Sequence, residues 1–469
     1  MNFKLMLVLE SSDGAEVVTH DIAKFTKTFS NIEHLGLSIT ESKALLNNLQ
    51  TKMVTHQLDH YLHNNSACNT CSVSYRIKEH RDVNVRTLFG TVNVKNPRFK
   101  SCNCNDSNKT FSPLSTLLQN KITPELYFLE SKWSALMSYG LTVNLLKDCF
   151  PVDNKLAIET VRRNTHEISK RIDDSLKDEQ QVFAKCFPSL INKEAFNNEA
   201  TVLGLDGGYL RSSSDKKKNF ELIVGKSMPS SSGVSDKVFG LVKSYDSKPK
   251  RRLYELLQSQ GITDSDGVCF MSDGGESLKD LQTYINPNAK HILEWFHITM
   301  KITVLNQCAK GLCNLNKEAG DNIKKLLASI KWKLWHGKPL DALSKILKLS
   351  DKVGYFEKSY DKYISMVKYV SEFYVYIRNN MNIIVNYGER YRAGKAISTA
   401  FVESLVNSLI SKRFCKKQQM QWSKKGAHLL MQVRTATINN ELDKIFRGWY
   451  PDFQNHVQNN GGHVSKLAA

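Results

Sequence analysis

The sequence predicts a protein of mixed α/β class, in which an α/β core is interrupted by a long helical segment and preceded by a cysteine-bracketed module. Between residues 196 and 298, apolar runs of strand length alternate with helical stretches. Residues 299 to 395 show helical periodicity and no strand signal. Two close cysteine pairs enclose a hairpin-like stretch nearer the N-terminus.

Length and charge narrow the class of protein. A chain of 469 residues is too long for one ordinary core, so we expect several domains. Lysine and arginine outnumber the acidic residues by 65 to 46, which gives a net charge of +19. Such an excess favours a polyanionic partner, nucleic acid first, although ribosome-associated and membrane-surface proteins share it. No run approaches the ~20 apolar residues of a membrane span, so we expect a soluble, intracellular protein.

Changes in composition divide the chain into seven predicted regions. These are an N-terminal region (1–64), the cysteine-bracketed module (65–110), a helical region (111–195), the first part of the α/β core (196–298), the helical segment (299–395), the last part of the core with a basic block (396–450) and a flexible tail (451–469). The strands expected in the core are Thr201–Asp206, Phe220–Lys226, Val238–Tyr245, Gly267–Asp273 and His291–Phe296.

Four cysteines have the spacing of a zinc site. They form the pairs Cys68-x-x-Cys71 and Cys102-x-Cys104. Thiolates favour tetrahedral Zn²⁺, and two close pairs at the ends of a ribbon supply four ligands. We therefore expect a structural zinc ribbon, in which the metal contributes to the folding of a small module. Four free reduced thiols are one alternative; a redox pair is another, although no thioredoxin-like βαβ pattern surrounds it.

Two helices expected between residues 138 and 171 have the arrangement of a helix-turn-helix. The second would span Asn154–Arg171, with basic side chains at Lys155, Arg162, Arg163, Lys170 and Arg171 and with Asn164 and His166 available for base edges. Such a helix suits the major groove of DNA. A plain helical hairpin with a solvated basic face fits the same sequence equally well.

Two apolar runs end in an acid followed by two glycines. Asp206 ends the run that begins at Thr201, and Asp273 ends the run that begins at Gly267. Carboxylates after central strands lie where α/β sheets place their sites. The glycines would let the backbone turn sharply and let a ligand approach. The alternative is that Asp-Gly is simply a common turn.

A third acid, Glu403, lies on a predicted amphipathic helix, because apolar residues recur at 401, 402, 405, 406, 409 and 410. At ~100° per residue it lies about 110° from the centre of the apolar stripe, so it can reach over a sheet edge toward the two aspartates. An ordinary solvated glutamate is the alternative. Three converging carboxylates require a cation, and two Mg²⁺ ions serve phosphodiester cleavage in this way.

The order of these motifs resembles that of bacterial insertion-sequence transposases of the ISKra type, within the mutator-like DDE group. The matching segments are Leu205–Tyr209, Ser272–Gly274, Ile292–His297, Ile397–Glu403 and a basic block from Ser411 to Thr435. The resemblance implies an RNase H-like core in which Asp206, Asp273 and Glu403 form the catalytic, Mg²⁺-binding triad. It also implies that residues 299 to 395 are an all-helical insertion between the second and third acids.

The resemblance assigns roles to further residues. Relatives carry Cys or Asp, two residues and then His after the second acid; Glu294 and His297 fill those places, so His297 joins the catalytic residues. Without this resemblance, we would interpret His297 as a packed core histidine. For the basic block, a solvated face is the alternative. The residues expected to hold DNA phosphates are Lys412, Arg413, Lys416, Lys417, Lys424, Lys425 and Arg434, together with Arg162 and Arg163.

The sequence thus predicts a DNA transposase that cleaves transposon ends and joins the freed 3′-hydroxyl to target DNA, with two catalytic Mg²⁺ ions and a structural Zn²⁺. Its partner would be double-stranded DNA, on which it would form a homodimer or larger assembly, in the nucleoid-containing cytoplasm of a bacterium. The alternatives are an RNase H-like nuclease without strand transfer, and a domesticated or decayed transposase that only binds DNA.

Overall fold

The fold is known from a computed structural model, which describes residues 1–10, 17–28, 30–102, 104, 110–178, 201–215, 217–229, 233–262, 267–275, 281, 289–354, 363–398, 400–415 and 420–453, apart from the side chains of Val17, Tyr363, Ala400, Phe401 and Glu403. The chain is of mixed α/β class, as the sequence predicts. It forms two compact units, Met1–Arg171 with Asn440–Ala469, and Ile172–Asn439. Among the described helices, none combines the length and the apolar character needed to cross a membrane.

The first unit begins with two antiparallel hairpins separated by a long helix. These elements are β1 (Asn2–Glu10), β2 (Val17–Thr26), α1 (Ile39–Asn64), β3 (Ile77–Thr87), β4 (Gly90–Lys100) and β5 (Thr110–Phe111). Ser38 starts α1, because its side chain accepts the Glu41 N–H while the Glu41 carboxylate accepts the Ser38 N–H. Leu58 of α1 packs with Val85 and Val92 of the second hairpin in one buried cluster.

Helices complete the first unit. They are α2 (Leu114–Leu117), α3 (Pro124–Leu136), α4 (Tyr139–Cys149), α5 (Ile158–Asp174) and the C-terminal α15 (Leu442–Trp449). The two helices expected between residues 138 and 171 are present as α4 and α5. The second begins at Ile158 and not at Asn154, because the Asp153 carboxylate and carbonyl accept the N–H groups of Lys155 and Leu156 in a turn.

A carboxyl group is buried between α3 and α5. Glu130 has no exposed surface, and its Oε2 accepts a hydrogen bond from Asn164 Nδ2 at 2.7 Å. Burial raises the pKa of Glu130 to about 7, and the Asn164 hydrogen bond and the Arg86 charge offset only part of this effect. The same contact places Asn164 in the interior, so the expectation that its side chain is available for base edges is wrong.

The burial of Glu130 predicts a pH dependence of stability. The unfolded chain loses this proton near pH 4.5 and the folded chain near pH 7, so the free energy of unfolding falls as pH rises through that window. The contribution, about 3 kcal/mol, is complete below the window and lost above it. Glu130→Gln should remove this dependence in urea unfolding at about pH 5 and pH 8, with the exposed Glu125→Gln as control. An unchanged pH dependence in the Glu130 variant would contradict the interpretation.

The second unit is built on a mixed sheet. Its strands are β6 (Thr201–Ser212), β7 (Asn219–Pro229), β8 (Lys237–Val242), β9 (Val268–Ser272), β10 (Lys290–Leu293) and the short β11 (Gln421–Trp422). The order is β10-β9-β6-β7-β8, with β11 beside the end of β6. The central β6 is antiparallel to β7 and parallel to β9, and β10 is parallel to β9. The helix α6 (Pro249–Ser259) covers one face through Leu253 and Leu257.

The backbone conformation at the two glycines after Asp206 differs from the predicted turn. Residues 206 to 211 continue β6 and pair with residues 219 to 224, so the expectation of a sharp turn at Gly207 and Gly208 is wrong. A Cβ at Gly208 would lie 2.5 Å from Cδ1 of Ile410, so this glycine makes room for a packed side chain. The strand expected to reach Phe296 ends earlier, at Leu293, because a helix follows immediately.

Helices fill the rest of the second unit. They are α7 (Trp295–Cys313), α8 (Lys317–Trp335), α9 (Pro339–Gly354), α10 (Tyr363–Asn380), α11 (Tyr387–Arg392), α12 (Ala400–Val406), α13 (Lys412–Phe414) and α14 (Lys424–Ile438). The helices α7 to α11 occupy the stretch for which only helix is predicted, and α7 to α10 share one buried apolar cluster. Between α12 and α13 the chain forms a π-helical turn, Asn407–Ser411.

Candidate functional site

The carboxyl ends of three parallel strands bring acidic residues to one edge of the sheet. The pairing of β6 with β9 ends two residues before Asp206 on one strand and two residues before Asp273 on the other. The strand β10 pairs with β9 as far as Leu293, and Glu294 follows. Two acids that are 67 positions apart in the sequence therefore lie level with each other, and a third lies beside them.

The charges of these side chains act on one another. Burial raises the pKa of Asp206, and the charges of Asp273 and Glu294 raise it further. The Gly207 N–H, which donates to Asp206 Oδ1 at 2.7 Å, and the charge of His297 lower it. Acids that raise the pKa of one another favour a nearby cation, and carboxylate oxygens are the ligands that Mg²⁺ prefers. Among the described side chains, no three of Asp206, Asp273, Glu294 and His297 bring ligand atoms within 4.8 Å of one another.

His297 lies within reach of these acids, which favour its protonated form. Its Nδ1 lies 2.8 Å from Glu294 Oε2, and this hydrogen bond is the main reason that the pKa of His297 is raised. Burial lowers the pKa of His297, whereas the charges of Asp273 and Asp206 raise it further. Glu294 is 2% exposed and also accepts a hydrogen bond from Ser398 Oγ at 3.2 Å. Glu294 therefore orients the imidazole, the task that a carboxylate performs beside a functional histidine.

The loop after β9 is held by the helical segment. The Asp273 carboxylate accepts the Gly275 N–H at 2.9 Å, and the Asp273 carbonyl accepts the Tyr376 hydroxyl at 3.0 Å. Gly274 has φ of +89°, and a Cβ there would lie 2.5 Å from Oδ1 of Asn380. Glycine is required at this position for both the backbone and the space. Tyr376 thus holds the backbone of Asp273, and Asn380, also on α10, lies against Gly274 and donates to the Tyr376 carbonyl; no local sequence pattern predicts these contacts.

The third predicted acid lies on α12. The backbone of Glu403 belongs to this helix, but its side chain lies outside the described residues. The helix packs against β6 and β7, with Val402 and Leu405 buried. Ile410, in the π-helical turn that follows, contacts Gly208 just beyond Asp206. The helix predicted to carry the third acid therefore lies against the strand that carries the first.

Two arginines predicted to hold DNA are buried in the second unit. Arg434 is 4% exposed, and its guanidinium donates to the carbonyls of Leu409, at 2.8 Å, and Ser408. Arg413 is 3% exposed and lies over the Trp422 ring at 5.5 Å. The prediction that these two arginines contact phosphates is wrong, because their guanidinium groups are directed into the protein. Arg434 instead satisfies carbonyl groups of the π-helical turn after α12.

The other basic residues predicted to contact DNA have different surroundings. Lys412, Lys424, Lys425, Arg162 and Arg163 are exposed. Arg162 also forms a salt bridge with Glu159 at 2.6 Å. Lys416 and Lys417 lie outside the described residues. The exposed residues remain available to phosphates.

Replacement of Arg434 tests its structural role. We expect Arg434→Met to lower the free energy of unfolding by about 2 kcal/mol, because two carbonyl groups lose their donor. Lys425→Met, in the exposed first turn of the same helix, should change it by less than about 0.5 kcal/mol. Urea unfolding measures both. An Arg434 variant of unchanged stability, whose DNA binding has a salt slope lower by about 0.9, would restore the phosphate role.

Four cysteines of the first unit form a candidate metal centre. Cys68, Cys71, Cys102 and Cys104 bring their sulfur atoms within 4.8 Å of one another. One pair precedes β3 and the other follows β4, so the hairpin brings both pairs to the same end. The N–H groups of Cys71 and Thr70 are the main cause that lowers the pKa of Cys68 to about 5, which favours its thiolate. Four sulfur ligands in this arrangement can hold Zn²⁺.

Removal of one thiol tests this centre. Purified protein should contain one zinc per chain, and Cys102→Ser should reduce the zinc content to background and lower the melting temperature. Cys149→Ser, an exposed free cysteine in the same unit, should retain the zinc. Elemental analysis and thermal unfolding measure the two effects. Wild-type protein that is free of zinc, with all four thiols open to a thiol reagent, would exclude the metal.

A second group of potential metal ligands surrounds the guanidinium group of Arg252. Asp173, Asp246 and His428 lie close enough together to share a metal ion. Arg252 lies among them and donates to Asp246 at 2.9 Å and to Asp173 at 2.5 Å. It also donates to Gln432 at 2.6 Å. The guanidinium already supplies the positive charge, so this group is a buried ion network that ties α6 to α14.

Comparison with known proteins identifies no relative of this chain. No model of a known protein family matches the chain, and no curated protein matches it. The arrangement of Asp206, Asp273, Glu294 and His297, and the four-cysteine cluster, are the observations from which a function can be argued.

Proposed function

We propose that the chain is a Mg²⁺-dependent DNA transposase of the DDE type, similar to the ISKra type within the mutator-like group. The observation that carries this proposal is the level position of Asp206 and Asp273 at the ends of adjacent parallel strands. Acids gathered in this way suit the two-metal chemistry of phosphodiester cleavage. His297 lies close enough to influence both aspartates.

The topology supports an RNase H-like core. On one side of the central strand β6, β7 pairs antiparallel with it and β8 pairs antiparallel with β7. On the other side lie β9 and β10, which run parallel to β6. This is the arrangement expected of that fold. The helices α7 to α11 lie in the sequence between the second acid and α12, as the proposed insertion requires. The four-cysteine cluster at the end of the β3–β4 hairpin supports a zinc ribbon in the first unit.

We assign the following roles to the residues of the site. Asp206, on the central strand, would help to hold both Mg²⁺ ions, and Asp273 and Glu403 would each help to hold one. The bound ions would activate the attacking water or 3′-hydroxyl and stabilise the leaving oxygen. His297, oriented by Glu294, holds a proton at its second ring nitrogen and directs it at the water or the scissile phosphate.

The proposal extends to the partners of the chain. Double-stranded DNA is the substrate, with Lys412, Lys424 and Lys425 as phosphate contacts on the second unit and with Arg162 and Arg163 as contacts on α5. The pairing of two transposon ends requires a homodimer or a larger assembly. The setting is the cytoplasm of a bacterium.

A cleavage assay tests the proposed function. On DNA that carries the ends flanking the gene, wild-type protein with Mg²⁺ should nick at defined positions and give strand-transfer products. Asp273→Asn should lower the rate at least about 10³-fold, because a metal ligand is lost. Asp351→Asn, an exposed acid on α9, should act as wild type.

The products separate the proposal from its alternatives. Cleavage without strand transfer would support a nuclease of the same fold. Specific DNA binding without cleavage by the wild type, with Mn²⁺ as well as Mg²⁺, would contradict the enzyme and support a protein that only binds DNA.

A further inference from the structure

Positive charge is concentrated in the helical segment between the proposed second and third acids. Residues 299 to 395 contain 18 Lys and Arg but only eight Asp and Glu, a net charge of +10 out of +19 for the whole chain. This segment is about a fifth of the sequence and carries more than half of the excess. The basic residues so far assigned to DNA lie outside it, so this charge has no role in the proposed function.

Four lysines of this segment lie along one side of α9. They are Lys338, immediately before the helix, and Lys345, Lys348 and Lys352 within it; we call them the lysine stripe. At ~100° per residue their directions fall within about 80° of one another. At 1.5 Å per residue the stripe extends over about 21 Å. Lys338, Lys348 and Lys352 are exposed and Lys345 is half-buried.

Among the described residues, neighbouring acids offset the charge of the stripe only in part. Asp341 lies on the same side of α9, but Lys333 of α8 binds it at 2.7 Å. The Lys333 contact lowers the pKa of Asp341 most, and the charges of Lys338 and Lys345 lower it further. None of the four stripe lysines forms a salt bridge with another residue in the described part of the chain. A net positive surface therefore remains.

The stripe lies on a rigid support. A neighbouring side of α9, about 80° from the centre of the stripe at ~100° per residue, packs into the core of the helical segment through Ala342, Ile346 and Leu349, none of which has any exposed surface. On α8, a comparable row of lysines is partly neutralised, since Lys324 pairs with Asp321 at 3.4 Å. The stripe on α9 thus combines the regular spacing of a helix with lysines that form no salt bridge in the described part of the chain.

We propose that the lysine stripe is a second DNA-binding surface, separate from the carboxylate cluster, which binds the phosphate backbone of duplex DNA. This inference rests on the proposed function, since it takes DNA as the substrate. A length of about 21 Å matches roughly six base pairs at 3.4 Å per base pair. Lysine binds phosphate as a point charge, so the stripe would hold DNA of any sequence and add affinity without base readout.

Binding of non-specific duplex DNA tests the inference without the need for catalysis. Fluorescence anisotropy with a duplex of about 30 base pairs compares wild type with the quadruple variant Lys338→Gln, Lys345→Gln, Lys348→Gln and Lys352→Gln. The control variant, with Lys310→Gln, Lys317→Gln, Lys325→Gln and Lys331→Gln, has the same net charge but keeps the stripe. Thermal unfolding verifies that both variants fold.

We expect the stripe variant to bind roughly tenfold or more weakly at about 50 mM salt, with a log–log salt slope smaller by about 3 to 4, near 0.9 for each lost contact. The control should change the slope by less than half as much. Equal losses in both variants would overturn the inference and leave the proposed function intact. A wild type that binds no DNA would overturn both. Binding of polyglutamate or single-stranded RNA with the same affinity and the same dependence on the stripe would overturn the assignment to duplex DNA.

Discussion

The parallel register between β6 and β9 is the constraint on which the site depends. Backbone hydrogen bonds fix the two strands residue against residue up to two positions before Asp206 and Asp273. Because side chains alternate between the faces of a sheet, a slip of one residue would turn one carboxylate to the opposite face. The register is held in turn by the apolar core, where Leu203 and Phe270 from the two strands are both buried against α6.

The same register creates an electrostatic cost that the rest of the second unit offsets. Burial and the neighbouring acids raise the pKa of Asp206, so the cluster without a cation is disfavoured in its fully ionised form. Glu294 stabilises the protonated form of His297, and the charge of that form lowers the pKa of Asp206. The helix α10 holds the loop that carries Asp273, since the Tyr376 hydroxyl donates to the Asp273 carbonyl. The helical segment therefore supports the site in addition to separating two parts of the core.

Much of the second unit could be predicted because its strands are continuous apolar runs and its helices have a clear period. The buried strands β6 and β9 follow from Thr201–Leu205 and Val268–Ser272 in this way. The turn predicted at Gly207 and Gly208 is wrong. Asp-Gly-Gly favours a turn locally, but in the fold these residues pair with β7 and make room for Ile410.

Contacts distant in the sequence could not be predicted. Tyr376 is 103 positions from Asp273, and no local pattern marks it as a partner. The charges of Arg413 and Arg434 follow from the basic block, but the directions of their side chains do not. Arg434 lies on α14, which is buried on nearly all sides, and Arg413, on α13, is buried over the Trp422 ring. Of the candidate site, the identity of the aspartates was accessible from the sequence, whereas the residues that orient them were not.

The central claim is that Asp206, Asp273 and Glu403 share divalent metal ions, and a crystal structure with Mn²⁺ tests it most directly. The anomalous scattering of Mn²⁺ locates the ions independently of the protein. The account predicts two peaks about 3.5–4 Å apart, with Asp206 between them and with Asp273 and Glu403 each beside one. An absence of peaks at these carboxylates in crystals saturated with Mn²⁺, or a Glu403 side chain directed away from the aspartates, would contradict it.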